Sequence, residues 1–343
     1  MGSCDHGAGQ KKIDNVDPFD DIRRAVIRRF GTSARIANIT VATLGGSSRT
    51  VIFDLIEGAQ SRRLVSRQET YSGEEQMFLS TANQFRIMSV VFKHGFPVPE
   101  PVFEYDKEDE IGHGFVSAFS SGETMPKKII NSPNFAGLRK MLAARCGHLL
   151  AQLHTLDSSE FSFLEKWPDS IDTVTAFRER YDFYAELHPA IELGFRWLER
   201  NRAPVETKRF LHGDFRCGNL MVGPEDVHAV LDWECSHLGA PMEDLGWLCM
   251  RSWRFDHPEL PVGGFGEREE LYHAYHAAGG NKVDPEVVRY WEIFGLVRWA
   301  IYNIMQAYGH VKGFRRSLAF AACGRNTSLV EYDLLMTLKG RYT

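Results

Sequence analysis

Apolar residues recur along this chain first at the two-residue period of strands and later at the 3.6-residue period of helices. The stretch DPFDDIRRAVIRRFG places Asp17 as N-cap, Pro18 in the first turn and Ile22, Val26 and Phe30 at helical spacing, which predicts a short helix stopping at Gly31. Three segments, IANITVATL, TVIFDLIE and RRLVSRQE, then alternate as strands do, the first two joined by Gly45, Gly46, Ser47 and Ser48. EEQMFLSTANQFRIMSVVFKHG has the helical period and ends at Gly95, and the prolines of FPVPEP forbid its continuation. PVFEY and GFVSAF supply two further strands. From about residue 133 the pattern turns helical, in FAGLRKMLAARCGHLLAQLH, DTVTAFRERYDFYAEL and three or four more segments towards the end. This order predicts an α+β chain: residues 1–14 as a flexible tail, a β-rich lobe over 15–121 and a mostly helical lobe over 122–343, divided at the Ser120, Ser121, Gly122 turn.

Between the helical segments lies LHGDFRCGNLMVGPEDVHAVLDWE, residues 211–234, where chemistry concentrates. LMV and AVL read as two short strands of a hairpin that ends at Asp232, with Asp214 and Asn219 five residues apart in the preceding loop. Two carboxylates and a carboxamide so placed can hold Mg²⁺ and a hydroxyl together. Phosphoryl transfer needs these parts: an acidic residue for the attacking hydroxyl, an Asn for metal, and an Asp after a following strand for the metal that bridges the nucleotide phosphates. Asp214, Asn219 and Asp232 fit those roles, although Asp, Asn and Gly singly are also ordinary turn residues.

The string resembles the protein-kinase catalytic loop in the form carried by the aminoglycoside phosphotransferase family, with HGD where protein kinases have HRD and DWE where they have DFG. The resemblance covers roughly residues 30–340 and is closest to bacterial phosphotransferases similar to the kinase-like N-terminal region of acyl-CoA dehydrogenase family members. It implies a bilobal kinase-like fold, with a small antiparallel sheet in the first lobe, and Mg²⁺ with ATP or GTP as cofactors. It also sets Arg216 at the position of the catalytic-loop lysine, where it would touch the transferring phosphoryl group or pin the loop by a salt bridge. His212 is expected to be structural, and Asp244 in PMEDLGWL resembles the helix-start acid that steadies the loop.

Further nucleotide contacts follow from the same resemblance. Small residues at Gly46, Ser47 and Ser48 let main-chain amides approach phosphates, though such a turn is often only a turn. Arg67 on the third strand takes the place of the kinase lysine, or is a solvated strand arginine. The helix glutamate that pairs with that lysine falls at Gln84, so the usual ion pair is missing unless Glu75 substitutes. Ala118 and Ser120, where the last strand meets the lobe boundary, complete the expected nucleotide-binding set.

Composition narrows the classes. With 343 residues, 43% of them hydrophobic, the chain can build a sizeable core. A formal charge of −5 supplies no basic footprint for nucleic acid and no polybasic patch for a membrane surface. FGLVRWAIYNIM, the most apolar helical stretch, is interrupted by Arg298 and Asn303. MGSC lacks the Ser or Thr that a myristoylation pattern wants at position 6, where His6 stands. The six cysteines are scattered, as in a reducing compartment, and a cytoplasmic protein is expected. His212, Cys217, Cys235 and His237 cluster in sequence, but at no zinc-site spacing.

For the acceptor, CMRSWRFDHPEL sets Arg251 and Arg254 one turn apart beside Trp247, Trp253 and Phe255, a combination suited to an anionic, partly apolar hydroxylated molecule such as a hydroxyacyl-CoA, or else a solvated face over core tryptophans. The expected partners are therefore a nucleoside triphosphate and a small hydroxylated acceptor, and the function an O-phosphotransferase. A catalytically silent kinase-like binding module, an aminoglycoside kinase and a protein kinase remain as alternatives. The sequence does not fix the oligomeric state.

Overall fold

The computed structural model describes residues 18–42, 48–69, 77–204, 206–314 and 316–342. The first helix, α1 (Asp20–Phe30), starts two residues later than Pro18, after a turn over Pro18 and Phe19. Asp17 lies outside the described residues. Strands β1 (Arg35–Val41), β2 (Ser48–Glu57), β3 (Gln60–Glu69), β4 (Pro101–Glu104) and β5 (Gly114–Ala118) form one antiparallel sheet in the order β1-β2-β3-β5-β4. All five stand where the alternation placed them.

The sheet's two faces follow from that alternation. On β2, Val51, Phe53 and Leu55 are buried against Ile22, Ala25 and Val26 of α1, and Leu64 of β3 joins the same small core. Each such side chain contributes roughly 1.5–3 kcal/mol when fully buried. Ser66, also on this face, hydrogen-bonds Tyr105 at 2.7 Å. Arg67 therefore points to the opposite face, where helix α2 (Thr81–Lys93) packs.

Helix α2 is shorter than the periodicity of EEQMFLSTANQ suggests. Met77 and Leu79 are buried but not helical, and the helix begins only after Ser80, whose side chain accepts from the Asn83 amide. Its inner positions Ile87, Met88 and Val91, with Phe115 of β5, belong to the same hydrophobic core as the second half of the chain. The small lobe thus rests on the large one through α2.

The second half is helical: α3 (Pro126–Asn131), α4 (Ala136–His154), α5 (Pro168–Tyr184), α6 (Pro189–Arg200), α7 (Met242–Cys249), α8 (Arg268–Ala277), α9 (Pro285–Lys312) and α10 (Leu318–Leu338). α5 is broken at Asp172, whose side chain accepts from the Thr175 amide and restarts the helix. Into this bundle are set two short antiparallel pairs, β6 (Arg209–Leu211) with β9 (His237–Gly239) and β7 (Leu220–Val222) with β8 (Val227–Val230). The β6/β9 pair closes the base of the segment that carries Asp214, Asn219 and Asp232. Among the described residues no helix is long and apolar enough to cross a membrane.

Candidate active site

The loop after β6 turns sharply at Gly213, whose φ is +77°. A side chain there would meet the Cys235 carbonyl at 2.1 Å, so glycine is required by space as well as by backbone angle. The loop is then fastened from below by Asp244 of α7. Its fully buried carboxylate accepts from the amides of His212 and Gly213, both at 2.8 Å, and sits 3.1 Å from His154 Nε2. Burial alone would raise the Asp244 pKa; these donors hold it below the ordinary carboxylate range instead. His154 bonds onward to the Tyr275 hydroxyl at 2.9 Å.

His212 is buried and bonded through both ring nitrogens. Nδ1 accepts from the Asp214 amide at 3.1 Å and Nε2 donates to the Leu231 carbonyl at 3.0 Å, which fixes a neutral tautomer. Burial lowers its pKa, in keeping with that tautomer. The ring joins the Asp214 loop to Leu231, which follows β8 and precedes Asp232.

Asp214 is met by three donors. Asn219 Nδ2 reaches Oδ2 at 2.7 Å and also the Asp214 carbonyl at 2.9 Å, while Arg216 Nε and Trp247 Nε1 both reach Oδ1 at 2.9 Å. Arg216 thus forms a salt bridge within the loop, and its guanidinium lies 4.9 Å over the Trp253 ring. Burial disfavours the Arg216 charge, but the Asp214 carboxylate outweighs it and raises the pKa.

Asp232 adopts a left-handed backbone at φ +68°, unusual for a residue with a side chain. Arg67 of β3 holds it: one nitrogen, Nη2, donates to Asp232 Oδ1 at 2.8 Å and to Glu234 Oε2 at 3.0 Å. Burial would raise the Asp232 pKa, but the Arg67 charge keeps it low. Main-chain bonds tie this corner to its surroundings, Leu231 N to the Asn219 carbonyl and Leu79 N to the Glu234 carbonyl, both at 2.8 Å.

The donor set suits a hard divalent cation. Asp232 offers carboxylate oxygen, and Asn219, whose amide nitrogen is committed to Asp214, has its side-chain carbonyl oxygen left as an acceptor of the kind such a cation takes. The sulfurs and imidazoles of the discarded zinc reading go elsewhere. His237 donates to the Cys235 carbonyl and meets Glu243, and burial pushes the Cys217 thiol up to about 12.

Two expectations are corrected. Arg67 does have a carboxylate partner: Glu234, together with Asp232, takes the position left open by Gln84, whose own amide donates to the Leu79 carbonyl at 2.8 Å. Arg254 is not a cleft residue. It is 3% exposed, donates to the Cys249 carbonyl, and sits 3.7 Å from Glu292. Arg251 begins a short 3₁₀ turn, not a helical face, and lies 5.5 Å over the Tyr342 ring.

The remaining candidates fall as follows. Ser48 opens β2 opposite Glu69, whereas Gly46, Ser47 and Glu75 lie outside the described residues. Ala118 ends β5, its amide bonded to the Glu100 carbonyl, and Ser120 follows it in the connection to Glu123, which bridges to Val222. Sequence reasoning missed Glu234, the Trp247 indole as a donor to Asp214, and His154. Glu234 could have been found as the second carboxylate of DWE; nothing in the sequence marks His154.

The chain is similar to several known proteins. Human acyl-CoA dehydrogenase family member 11 is 27% identical over 285 residues, 77% of this chain but 35% of that protein. The Arabidopsis thaliana probable acyl-CoA dehydrogenase IBR3 is 26% identical over 86% of this chain and 39% of its own length. The chain thus spans little more than a third of these relatives. Among solved structures, a Ralstonia eutropha protein provisionally named an aminoglycoside phosphotransferase superposes with a TM-score of 0.66 at 21% identity, covering 93% of this chain and 98% of that one. A choline/ethanolamine kinase family protein from Mesorhizobium loti gives 0.60 at 18% identity, covering 92% and 94%. At these identities the likeness establishes the bilobal kinase-like fold. The phosphotransferase enzyme family profile matches residues 41–285, well over half of the chain, and the protein belongs to that family of kinase-like phosphotransferases.

Proposed function

We propose that this phosphotransferase moves the terminal phosphoryl group of ATP or GTP, with Mg²⁺, to a hydroxyl of a small molecule. The observation that carries the reading is the joining of Asp214, Asn219 and Asp232 into one corner by the Asn219 side-chain bonds and the Leu231–Asn219 main-chain bond. Aminoglycoside 2'-phosphotransferase-IIIa, of the same fold at 11% identity and a TM-score of 0.62, has been solved as a GDP complex, which supports a nucleotide in the cleft.

Asn219 and Asp232 would hold Mg²⁺, which when bound neutralises charge on the phosphates. Arg67 would bind phosphate oxygens from the small lobe, joined by the turn around Gly46, Ser47 and Ser48, with Ala118 and Ser120 at the lobe junction. Asp214 orients the acceptor hydroxyl and receives its proton. Asn219, Trp247 and Arg216 fix that carboxylate, and Arg216, already beside it, adds positive charge near the transferred group. His212 and Asp244 keep the loop in place.

The burial of Arg254 removes one of the two charges behind an anionic acceptor, so the acceptor class is a small hydroxylated molecule without a preferred charge. The test is a thermal-shift titration with Mg²⁺ and ATP or GTP, followed by phosphate transfer across a panel of hydroxylated metabolites. Stabilisation lost in Asp232→Ala is expected, because a ligand that binds only the folded state raises its stability. A wild-type protein that saturating Mg²⁺-nucleotide leaves unshifted would refute the reading.

A further inference from the structure

We infer that Glu234, the last residue of the DWE string, is a positioning residue for the phosphate-binding cation, doing from the metal-binding corner what a helix glutamate does elsewhere. The inference rests on the nucleotide reading above and adds to it a residue whose effect passes through Arg67.

Three observations carry it. Arg67 Nη2 is shared between two carboxylates, Asp232 at 2.8 Å and Glu234 at 3.0 Å. Asp232 is also the carboxylate assigned to the metal, so only Glu234 of these two can keep Arg67 once a divalent cation claims Asp232. With Glu234 lost, the guanidinium would be drawn further onto Asp232, in competition with the cation, or be displaced from its present place. Glu234, 14% exposed at its side chain, prevents both.

The second observation is the path from α2. Gln84 stands where a helix carboxylate was expected, yet it is 4% exposed and its amide donates to the Leu79 carbonyl. The Leu79 amide in turn donates to the Glu234 carbonyl. The helix therefore acts on the Arg67 partner through the main chain, and a neutral glutamine serves that purpose as a donor where a carboxylate could not. Third, the turn Trp233–Cys235 that carries Glu234 is fixed at its base, since the buried Trp233 indole donates to the Val230 carbonyl at 3.2 Å. Glu234 is held on rigid backbone, as a positioning group must be.

Calorimetry with the whole chain tests this without turnover. Mg²⁺-ATP is titrated into wild type, Glu234→Gln, Arg67→Ala and the double variant, and the Mg²⁺ concentration for half-maximal nucleotide binding is measured for each. Loss of one charge-assisted anchor predicts a Kd about tenfold higher in Glu234→Gln, and a higher Mg²⁺ requirement as Arg67 stays on Asp232. Because Glu234 acts through Arg67, the double variant is expected to bind no more weakly than Arg67→Ala alone. Glu234→Asp, which keeps the charge, should recover part of the affinity. Glu75→Gln serves as the control carboxylate. A Kd within twofold of wild type in Glu234→Gln, penalties that multiply in the double variant, or an effect seen in Glu75→Gln alone would overturn the inference while leaving nucleotide binding intact. A wild type that does not bind Mg²⁺-nucleotide at all would instead overturn the underlying reading, and this assignment with it.

Discussion

The indole of Trp247 donates to Oδ1 of Asp214 at 2.9 Å, so a residue of helix α7 fixes the carboxylate that would meet the acceptor hydroxyl. Trp247 is itself held by the buried Arg298, whose guanidinium lies 4.8 Å over its ring. Trp247→Phe keeps an aromatic ring in place but removes the donor together with part of the indole. A lost hydrogen bond to a charged group is worth roughly 1.5–3 kcal/mol, so kcat should fall about ten- to a hundredfold with the nucleotide Kd unchanged. Asp214→Asn should lose several orders of magnitude in kcat while still binding nucleotide. Steady-state rates alongside calorimetry separate the two effects, and a Trp247→Phe enzyme with wild-type kcat would assign Trp247 to packing alone.

Gly213 meets a backbone angle and a contact that no side chain satisfies together. Gly213→Ala must accept a left-handed conformation, about 1–2 kcal/mol for an L-residue, and displace the Cys235 carbonyl besides. The expected result in scanning calorimetry is a midpoint lowered by several degrees, with phosphoryl transfer reduced in the fraction that remains folded. An unchanged midpoint would show that the loop can rearrange freely.

His237 predicts a pH dependence. Burial opposes its charge, but Glu243 at 3.2 Å raises its pKa above the usual 6.5. A raised folded value means that the pair's stabilisation is fully present below pH 6.5 and lost as pH rises through the folded value. Urea unfolding of wild type and His237→Gln should therefore differ most at pH 6 and converge under alkaline conditions. A difference that stays constant from pH 6 to 9 would mean His237 is held neutral.

Arg254 should behave as a core residue. Arg254→Ala removes the donor to the Cys249 carbonyl and one of the two ion-pair partners of Glu292, the other being Arg268 at 2.5 Å. Since Arg268 still satisfies Glu292, the loss should be roughly 2–3 kcal/mol of stability, less than for a fully orphaned buried charge. Denaturant unfolding measures it. The KM for any acceptor found should not move, and a selective rise in that KM would restore Arg254 to the cleft.

The five strands and the Asp214–Asn219–Asp232 string were legible because each rests on local pattern: alternation in Val51, Phe53 and Leu55, and loop chemistry within two dozen residues. What stayed hidden depends on distant partners. Arg251 and Arg254 read as a charged face because spacing carries no information on burial, and Arg254 turned inward to the Cys249 carbonyl. The pairing of β6 with β9 involves strands of three residues, too short to show a period. Helix α2 looked longer because the buried Met77 and Leu79 match a helical stripe, although Ser80 caps the helix after them.

The contact between Arg67 and Asp232 joins positions 165 residues apart in the chain. Such a contact forms only after most of the intervening polypeptide has been ordered, since the closure entropy of a long loop must be offset by the packing of what lies between. The corner formed by Arg67, Asp232 and Glu234 is therefore among the long-range contacts of the fold. A fragment ending at the lobe junction would carry Arg67 without Asp232 or Glu234, and during synthesis these three residues could meet only once the segment after the β8 hairpin has emerged.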